Sequence, residues 1–220
     1  MFNPSPETIA KILKSPLSNV SSDWPVIKAV LPQFKITTDA ALIAVLATIG
    51  TEVRTFKPIN EYGGPKYFAM YDGRKDLGNV HPGDGNKFHG RGYVQTTGRL
   101  NYTELVPILG VDCVENPDLL LNPHHAAVAL AHFFKTHGTA DWANKAWLSP
   151  KGKLCKFCPD DGLLFTGLNK AGRKMYRRPK FTEPTCDTCA WKTCRRTVNG
   201  GLNGWPVFKY NVDELSKLVI

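Results

Sequence analysis

The chain of 220 residues contains no long hydrophobic run. No stretch approaches the roughly 18 uninterrupted apolar residues of a membrane-spanning helix. The first residues also lack a basic region followed by an apolar stretch, which is the mark of a secretory signal. We therefore expect neither a signal peptide nor a membrane span, so a target outside the cytoplasm would have to be reached with the help of another factor.

The sequence also lacks the motifs that usually accompany nucleic-acid binding. Its net charge is +9, from 28 basic and 19 acidic residues. Such a charge attracts polyanions, among them nucleic acid, lipopolysaccharide, teichoic acid and peptidoglycan. No helix-turn-helix, RNA-recognition or repeat signature is present, which makes nucleic acid a less favoured partner than the charge alone suggests.

The hydrophobic content of 42% is enough to build a real core. We expect one domain over residues 1–220, with a cysteine-rich insertion at residues 150–194. Ser5 and Pro6 predict a short helix to Lys14, and further helices are expected over residues 24–31, 126–137 and 212–220. Asn122 is the predicted N-cap of the third of these helices.

The strongest helix signal covers residues 37–56. Thr37 or Thr38 is the expected N-cap, and apolar residues recur at positions 42, 45, 46, 49, 53 and 56. Glu52 lies at the edge of this apolar stripe, where partial burial disfavours the charged form of a carboxylate, as a general acid requires. Considered alone, an ordinary helix carboxylate paired with Arg54 or a lysine explains Glu52 better.

Residues 57–102 do not have the composition of a hydrophobic core. Pro58 prevents continuation of the helix, so Glu61 is expected on a loop that can face Glu52 across a cleft. Residues 71–102 are then rich in glycine and in side chains that form hydrogen bonds with hydroxyls and amides. This composition is typical of a site that cleaves sugars. Within it, Arg74, Asp76, Arg91 and Arg99 are predicted to form structural ion pairs.

Several ordered blocks together resemble the family 19 glycoside hydrolases. The blocks are residues 50–52, Glu61, 73–79, 82–85, 90–102 and 196–204. They are most similar to the phage endolysin branch, and plant-type chitinases share the same catalytic arrangement. The resemblance implies a mainly α, lysozyme-like α+β fold in which a small β element lies beside a substrate groove.

The resemblance also implies a reaction and its residues. The expected reaction is hydrolysis of a β-1,4 bond next to an N-acetylhexosamine, with inversion at the anomeric carbon and no cofactor. Glu52 matches the general acid, and Glu61 matches the general base that activates water. Thr97 matches the hydroxyl residue that helps to hold this water.

Four further residues match the family's substrate-binding positions. Gln95, Asn101 and Tyr102 match groups that line the groove, and Asn199 matches one that contacts sugar from the opposite wall. The chain departs from the family at Thr51, because a histidine usually precedes the acidic glutamate. We expect activity to survive this change.

The insertion carries two Cys-x-x-Cys pairs. Cys155 with Cys158 and Cys186 with Cys189 have the spacing of a structural zinc site with four thiolate ligands. Two disulfides are the main alternative and free or redox-active cysteines are the third, while Cys194 is a possible substitute ligand. The basic residues of the insertion suggest either contact with an anionic envelope surface or nucleic acid, or a metal-stabilised extension of the groove wall.

Three functions remain open from the sequence. The favoured function is an endolysin that hydrolyses peptidoglycan, held in the host bacterial cytoplasm until it is released to the cell wall. The alternatives are a chitinase and a non-catalytic, zinc-dependent module that binds cell wall or nucleic acid. The expected partner is peptidoglycan or a chitin-like polysaccharide, and we expect a monomer without a stable protein partner.

Overall fold

The structure of the protein is a computed structural model that describes residues 2–151, 155–158, 163–169, 171 and 173–219, without the side chains of residues 164, 165 and 167. Its contacts divide the chain into two compact units. The first unit contains Thr37–Thr48 and Phe134–Ile220 together with the two N-terminal residues, and the second contains Asn3–Ile36 and Ile49–Phe133. Lys170 of the basic insertion lies outside the described residues.

The described residues form ten α-helices and four short strands. The helices are α1 (Pro6–Leu13), α2 (Leu17–Val30), α3 (Asp39–Glu52), α4 (Pro65–Phe68), α5 (Asp84–Lys87), α6 (Arg99–Leu109), α7 (Pro123–Thr136), α8 (Thr139–Leu148), α9 (Asp187–Asn199) and α10 (Trp205–Ser216). The strands are β1 (Ile59–Asn60), β2 (Arg91–Gly92), β3 (Leu164–Leu168) and β4 (Lys174–Arg177). The predicted mainly α fold with a small β element is confirmed.

Local capping chemistry begins three of the helices as predicted. The Ser5 hydroxyl accepts a hydrogen bond from the N–H of Thr8 at 3.3 Å, and Lys14, whose φ is 54°, follows the last residue of α1. The Thr38 hydroxyl caps α3 through the N–H of Ala41, at 3.2 Å. Asn122 caps α7 through the N–H of His124, at 2.9 Å.

The predicted starts of two other helices are wrong. Helix α2 begins at Leu17 instead of Trp24 and contains Pro25 in its interior. The buried side chains Val20, Trp24 and Ile27 lie on one face, so packing outweighs the poor fit of proline within a helix. Helix α10 begins at Trp205 instead of Val212, after Gly204 in a left-handed conformation.

Helix α3 differs from an amphipathic stripe in both burial and length. Every residue from Ala41 to Gly50 is buried, as is typical of a helix that is hydrophobic on all sides. The helix ends at Glu52 and does not reach Phe56 as predicted. Phe56 has a φ of 57°, and it precedes Lys57-Pro58, where the proline disfavours helical backbone.

In the second unit, α1 packs against α2, and β1 pairs with β2 in an antiparallel sheet. Ile59 is opposite Gly92, and Asn60 is opposite Arg91. A buried cluster supports the chain after β2. Its members are Phe88, Tyr102, Leu105, Cys113, Leu120 and Ala129. This cluster fixes α6 close to the short sheet.

In the first unit, α8 packs against α9, and Trp191 of α9 meets Phe208 of α10 edge to face at 6.2 Å. Strands β3 and β4 form an antiparallel hairpin with one irregularity in register. Cys155–Cys158 precede this hairpin, and Cys186–Cys189 follow it at the start of α9. Across the described residues, no helix has the length and apolar character needed to cross a membrane.

Candidate active site and metal centre

Glu52 is the last residue of α3 and is half-buried. Its neighbour Val53 is buried, with 2% of its surface exposed. The carboxylate therefore lies at the border of an apolar region, as the sequence predicts. Thr51, which stands where the resembled family has a histidine, is also half-buried.

Glu61 follows β1 directly and is held by three hydrogen bonds. The N–H of Glu61 donates to the carbonyl of Gly90 at 2.7 Å, and the N–H of Gly90 donates to Oε2 of Glu61 at 2.9 Å. The Tyr71 hydroxyl donates to Oε1 of Glu61 at 2.8 Å. Each carboxylate oxygen thus has a defined partner, and the side chain is half-buried on a short, paired strand end.

Gly90 lies close to the side chains of both Gln95 and Glu61. A Cβ at this position would come within 2.9 Å of Oε1 of Gln95 and 3.2 Å of Oε2 of Glu61. Real Cβ atoms essentially never lie within 3.0 Å of such an atom, so the end of the Gln95 side chain would have to move. The glycine therefore allows Glu61 and Gln95 to lie on either side of the same backbone segment.

The predicted residues Gln95, Thr97 and Asn101 form a chain of hydrogen bonds. Nε2 of Gln95 donates to the carbonyls of Ile59 and Gly92, at 3.2 and 3.1 Å. The Thr97 hydroxyl donates to the Gln95 carbonyl at 2.9 Å, and Nδ2 of Asn101 donates to the Thr97 carbonyl at 2.6 Å. Gln95 has a φ of 53° and lies in the turn that connects strand β2 to the start of α6.

The prediction that Tyr102 lines the groove is wrong. The side chain was predicted to contact sugar, but it is 0% exposed. Its hydroxyl donates to the His89 carbonyl at 3.0 Å and accepts from Arg91 at 3.1 Å. Burial raises the pKa of Tyr102 to about 12. Because α6 turns this side chain into the core, Tyr102 shapes the segment around Gly90 and does not line a groove.

The predicted ion pairs of the glycine-rich segment are confirmed. Arg74 binds both carboxylate oxygens of Asp76 at 2.8 and 2.5 Å. In the next pair, Nε of Arg91 lies 2.8 Å from Oδ1 of Asp118. Arg99 binds Asp84 through two nitrogens at 3.0 and 2.5 Å. These three arginines and their three aspartate partners brace the segment.

Asn199, predicted to contact sugar from a second wall, is the last residue of α9 in the first unit. Its Nδ2 donates to the Asn203 carbonyl at 3.0 Å, and its Oδ1 accepts from the N–H of Gly201 at 3.1 Å. The side chain is half-buried and shapes the turn that follows α9. Its role in sugar binding stays a prediction.

Three solved structures are similar to this chain. A bacterial family 19 chitinase has a TM-score of 0.54 at 18% identity, with 97% of this chain and 93% of that chain covered. A glutamate-to-glutamine mutant of chitinase C has a TM-score of 0.55 at 14% identity, with 99% and 91% covered. Chitinase C from Streptomyces griseus HUT6037 has a TM-score of 0.51 at 14% identity, with 97% and 74% covered.

The chain has the fold of family 19 chitinases. At the level of sequence, no protein-family profile and no curated protein matches it. Because the identities are only 14–18%, the likeness shows the fold alone.

The four cysteines of the two Cys-x-x-Cys pairs come together in the first unit. Their sulfurs all lie within 4.8 Å of one another. Sγ of Cys158 is 3.9 Å from Cys155, 3.6 Å from Cys186 and 3.5 Å from Cys189. Phe157, which is fully buried, packs with these residues in a small cluster.

This donor set fits a tetrahedral metal ion. Zn–S bonds of about 2.3 Å in a tetrahedron place the sulfurs about 3.8 Å apart, close to the separations observed here. Backbone N–H groups support two of the ligands, from Cys155 to Sγ of Cys158 at 3.3 Å and from Cys189 to Sγ of Cys186 at 3.5 Å. The four residues are therefore arranged as one group and not as two separate pairs.

The ionisation of the cluster is uneven. Burial raises the pKa of the Cys155 thiol, but hydrogen bonds from the backbones of Cys186 and Phe157 outweigh it and hold that pKa at about 7. Burial raises the pKa of Cys189. A bound metal ion would favour the thiolate form of all four residues.

The two remaining cysteines lie outside this group. Cys194 is buried and its thiol contacts the Thr139 carbonyl at 3.5 Å, so it is not placed as a substitute ligand. Cys113 is buried in the core of the second unit and contacts the Tyr102 carbonyl at 3.1 Å.

Glu183 organises the basic segment that follows the hairpin. Its carboxylate accepts from Arg177 at 2.5 and 2.7 Å, from Lys156 at 2.8 Å and from the N–H of Lys180 at 2.7 Å. These donors lower the pKa of Glu183, the Arg177 hydrogen bond most of all. Part of the positive charge of the insertion is thus paired internally.

Two contributors to the site were not predicted from the sequence. Tyr71 was placed in the polar segment without a role, although its hydroxyl contacts Glu61. Asp84 was noted only as part of a block, although it is 2% exposed and binds Arg99. No local signal identifies the Tyr71 contact, because it joins residues ten positions apart across a loop.

Proposed function

We propose that the protein is a glycoside hydrolase that cleaves β-1,4 bonds in a polysaccharide containing N-acetylhexosamine. The observation that carries this proposal is Glu61, whose two carboxylate oxygens accept from Gly90 and Tyr71 on a strand end next to the Gln95–Asn101 turn. A carboxylate held in this way is suited to act as a base. A fold shared with family 19 chitinases supports the same reaction class.

In the proposed mechanism, the carboxylic acid of Glu52 gives its proton to the departing glycosidic oxygen. The carboxylate of Glu61 removes a proton from a water molecule, which attacks the anomeric carbon from the opposite face. The Thr97 hydroxyl helps to hold this water, and Gln95 and Asn101 bind the sugar. The anomeric configuration is inverted, and the reaction needs no cofactor.

We propose peptidoglycan as the substrate and host-cell lysis as the biological role. The net charge of +9 favours the anionic bacterial envelope over an uncharged polymer. In this role the protein is held in the host bacterial cytoplasm as a monomer until the membrane is opened. Exposed basic residues near the hairpin, among them Arg173, Lys174 and Lys180, support contact with the envelope surface.

Chitin is the second candidate substrate. Three chitinases share the fold of this chain, and both polymers contain β-1,4-linked N-acetylglucosamine. Either polymer could be bound and cleaved by the same groups, which are those of Glu52, Glu61, Gln95 and Asn101. A non-catalytic binding module would not need both oxygens of Glu61 to be held by fixed donors.

The test compares hydrolysis of purified peptidoglycan and of chitin oligomers by the wild-type protein, Glu52→Gln and Glu61→Gln. Each variant should lose at least about 100-fold in rate, because general acid–base catalysis contributes that much. Glu104→Gln, on the exposed face of α6, is the matched control and should keep its activity. Mass spectrometry of the released ends identifies the linkage, and NMR of the first product identifies the anomer.

Activity on peptidoglycan alone supports the endolysin, and activity on chitin oligomers alone supports the chitinase. Near-normal hydrolysis by either glutamate variant overturns the catalytic assignment. Binding to either polymer without release of sugar ends by the wild-type protein supports the non-catalytic module.

We also propose that Cys155, Cys158, Cys186 and Cys189 bind one structural zinc ion. Their mutual sulfur distances fit a tetrahedron, whereas two disulfides would need only pairwise contacts. The ion would link the segment before the β3–β4 hairpin to the start of α9. It has no part in the proposed hydrolysis.

Metal analysis on protein purified without chelator should find about one zinc per chain. Titration of the thiols in protein that has been denatured in chelator should then find all six cysteines in the reduced form. A protein without metal and with only two reactive thiols would establish disulfides in place of zinc. Four thiolates also bind iron, so iron at equal stoichiometry would contradict the assignment of zinc.

A further inference from the structure

The Tyr71 hydroxyl contacts Glu61 but has no role in the acid–base scheme described above. It donates to Oε1 at 2.8 Å, on the carboxylate oxygen that Gly90 does not bind. With the two donors in place, rotation of the carboxylate would break both hydrogen bonds. The contact therefore fixes the direction in which Glu61 presents its oxygens.

The backbone that carries Tyr71 is itself held in place. Nδ2 of the fully buried Asn79 donates to the Tyr71 carbonyl at 2.9 Å, and Oδ1 of Asn79 accepts from the N–H of Arg99 at 2.8 Å. Asn79 thus ties Tyr71 to the first residue of α6. This helix also carries Asn101, which belongs to the proposed substrate-binding turn.

A second restraint comes from α5. The N–H of Gly85 donates to Oδ1 of Asp72 at 2.7 Å. A Cβ at Gly85 would lie only 2.3 Å from the Phe68 carbonyl oxygen, so this helix rests directly on the backbone before Tyr71. The hydroxyl of Tyr71 is consequently placed by the fold and not by a freely moving loop.

The Tyr71 hydroxyl is also a dependable donor. Burial raises the pKa of Tyr71 above its usual value, and the hydrogen bond to Glu61 raises it further. The charged or titratable groups near it are Glu61, Tyr67 and Arg74. The hydroxyl consequently keeps its proton over the pH range in which glycosidases work.

We propose that Tyr71 is a positioning residue that holds the Glu61 carboxylate in the orientation needed to activate water. This inference rests on the proposed hydrolase function for its catalytic consequence, but the restraint on Glu61 exists independently of any substrate. Loss of a hydrogen bond to a charged group costs a factor of about 10 to 150.

The experiment compares Tyr71→Phe with the wild-type protein and with Tyr67→Phe. The Tyr67 substitution removes the same hydroxyl from a neighbouring, 48% exposed tyrosine on α4, and it is the matched control. For hydrolysis of whichever polymer the wild-type protein cleaves, kcat of Tyr71→Phe should fall at least about tenfold, with KM changed less than about twofold. Tyr67→Phe should keep the wild-type values.

Hydrogen exchange at the Gly90 amide provides a measurement that does not need activity. This N–H donates to Oε2 of Glu61, so release of the other oxygen should weaken its protection several-fold in Tyr71→Phe. Thermal melting of the three proteins separates this local change from unfolding.

The outcomes distinguish this inference from the proposed function. Faster hydrogen exchange at the Gly90 amide in Tyr71→Phe, together with no hydrolysis by the wild-type protein, would overturn the hydrolase proposal and support the restraint of Glu61 by Tyr71. Unchanged Gly90 exchange would overturn the restraint, whatever the activity. Faster exchange with an unchanged kcat in an active enzyme would show that the restraint has no catalytic use, and would also reject the proposal.

Discussion

Gly90 and Glu61 exchange two hydrogen bonds. The N–H of Glu61 donates to the Gly90 carbonyl at 2.7 Å, and the N–H of Gly90 donates to Oε2 of Glu61 at 2.9 Å. One backbone segment therefore holds both the main chain and the side chain of the proposed base. Because this arrangement joins residues 29 positions apart, it depends on the pairing of β1 with β2.

The first prediction concerns the space at Gly90. Gly90→Ala should lower the hydrolytic rate at least about tenfold, because the new methyl group would displace Glu61 or Gln95 and misplaced reacting groups are costly. Gly64→Ala is the matched control, since a Cβ there meets no atom within 4 Å. Steady-state rates and melting temperatures of the two variants check the prediction. An active Gly90→Ala protein would show that the segment can adjust.

The second prediction concerns the buried carboxylate of Asp84. Asp84→Asn should reduce the free energy of unfolding by about 3 kcal/mol at pH 7, because it removes one partner of a largely buried ion pair. Denaturation at several concentrations of urea measures this loss. Asp76→Asn is the control, because it alters the exposed ion pair of Arg74 with Asp76, and it should leave the melting temperature unchanged. Equal effects of the two substitutions would contradict the role assigned to burial.

The same pair gives a prediction for pH. The Arg99 hydrogen bond holds the pKa of Asp84 below its usual value, so the folded state favours the charged form. Its stabilising contribution is complete above the unfolded value of about 4 and is lost as the pH falls through the folded value. The difference in unfolding free energy between wild type and Asp84→Asn should therefore narrow below about pH 4. A difference that stays constant down to pH 2 would argue against this linkage.

The third prediction concerns Cys158, whose sulfur contacts the other three of its cluster. Cys158→Ala should bind less than one zinc per chain, and its melting temperature should no longer respond to chelator. Cys113→Ala, in the core of the second unit, should keep both the metal and the response to chelator. Full zinc content in Cys158→Ala would remove this residue from the ligand set.

The fourth prediction concerns Glu183 and the hairpin segment. Glu183→Gln removes the charge that Arg177 and Lys156 share, so trypsin should cut the basic segment after β4 faster than in the wild-type protein. Glu104→Gln again serves as the control for loss of one negative charge. Gel analysis of timed digests and sequencing of the fragments locate the cut. Identical digestion of both variants would show that the ion pairs do not restrain this segment.

Short-range chemistry explains what could be predicted. The caps at Ser5, Thr38 and Asn122 depend on side chains that bond to backbone two or three residues away, so the sequence specifies them locally. The interpretation of the dense Arg and Asp residues as ion pairs was also confirmed. The spacing within each Cys-x-x-Cys pair similarly favours two ligands close together.

Long-range packing decided the rest. The second helix was predicted to begin at Trp24, but α2 begins at Leu17 and contains Pro25, because the buried face of that helix outweighs the lost backbone hydrogen bond. Tyr102 was a candidate for sugar contact, yet its position on α6 turns it into the core. Helix periodicity does not reveal which of several polar aromatic residues faces a groove.

By itself, the sequence determined which chemistry is available: two glutamates, a segment of amide and hydroxyl side chains, and four cysteines in two spaced pairs. Only the tertiary structure decided which groups meet. It placed Tyr71 and Gly90 on opposite oxygens of Glu61 and brought the four sulfurs within 4.8 Å. The physical reason is that hydrogen bonds and metal ligands act over a few ångströms, and folding alone brings distant residues within that range.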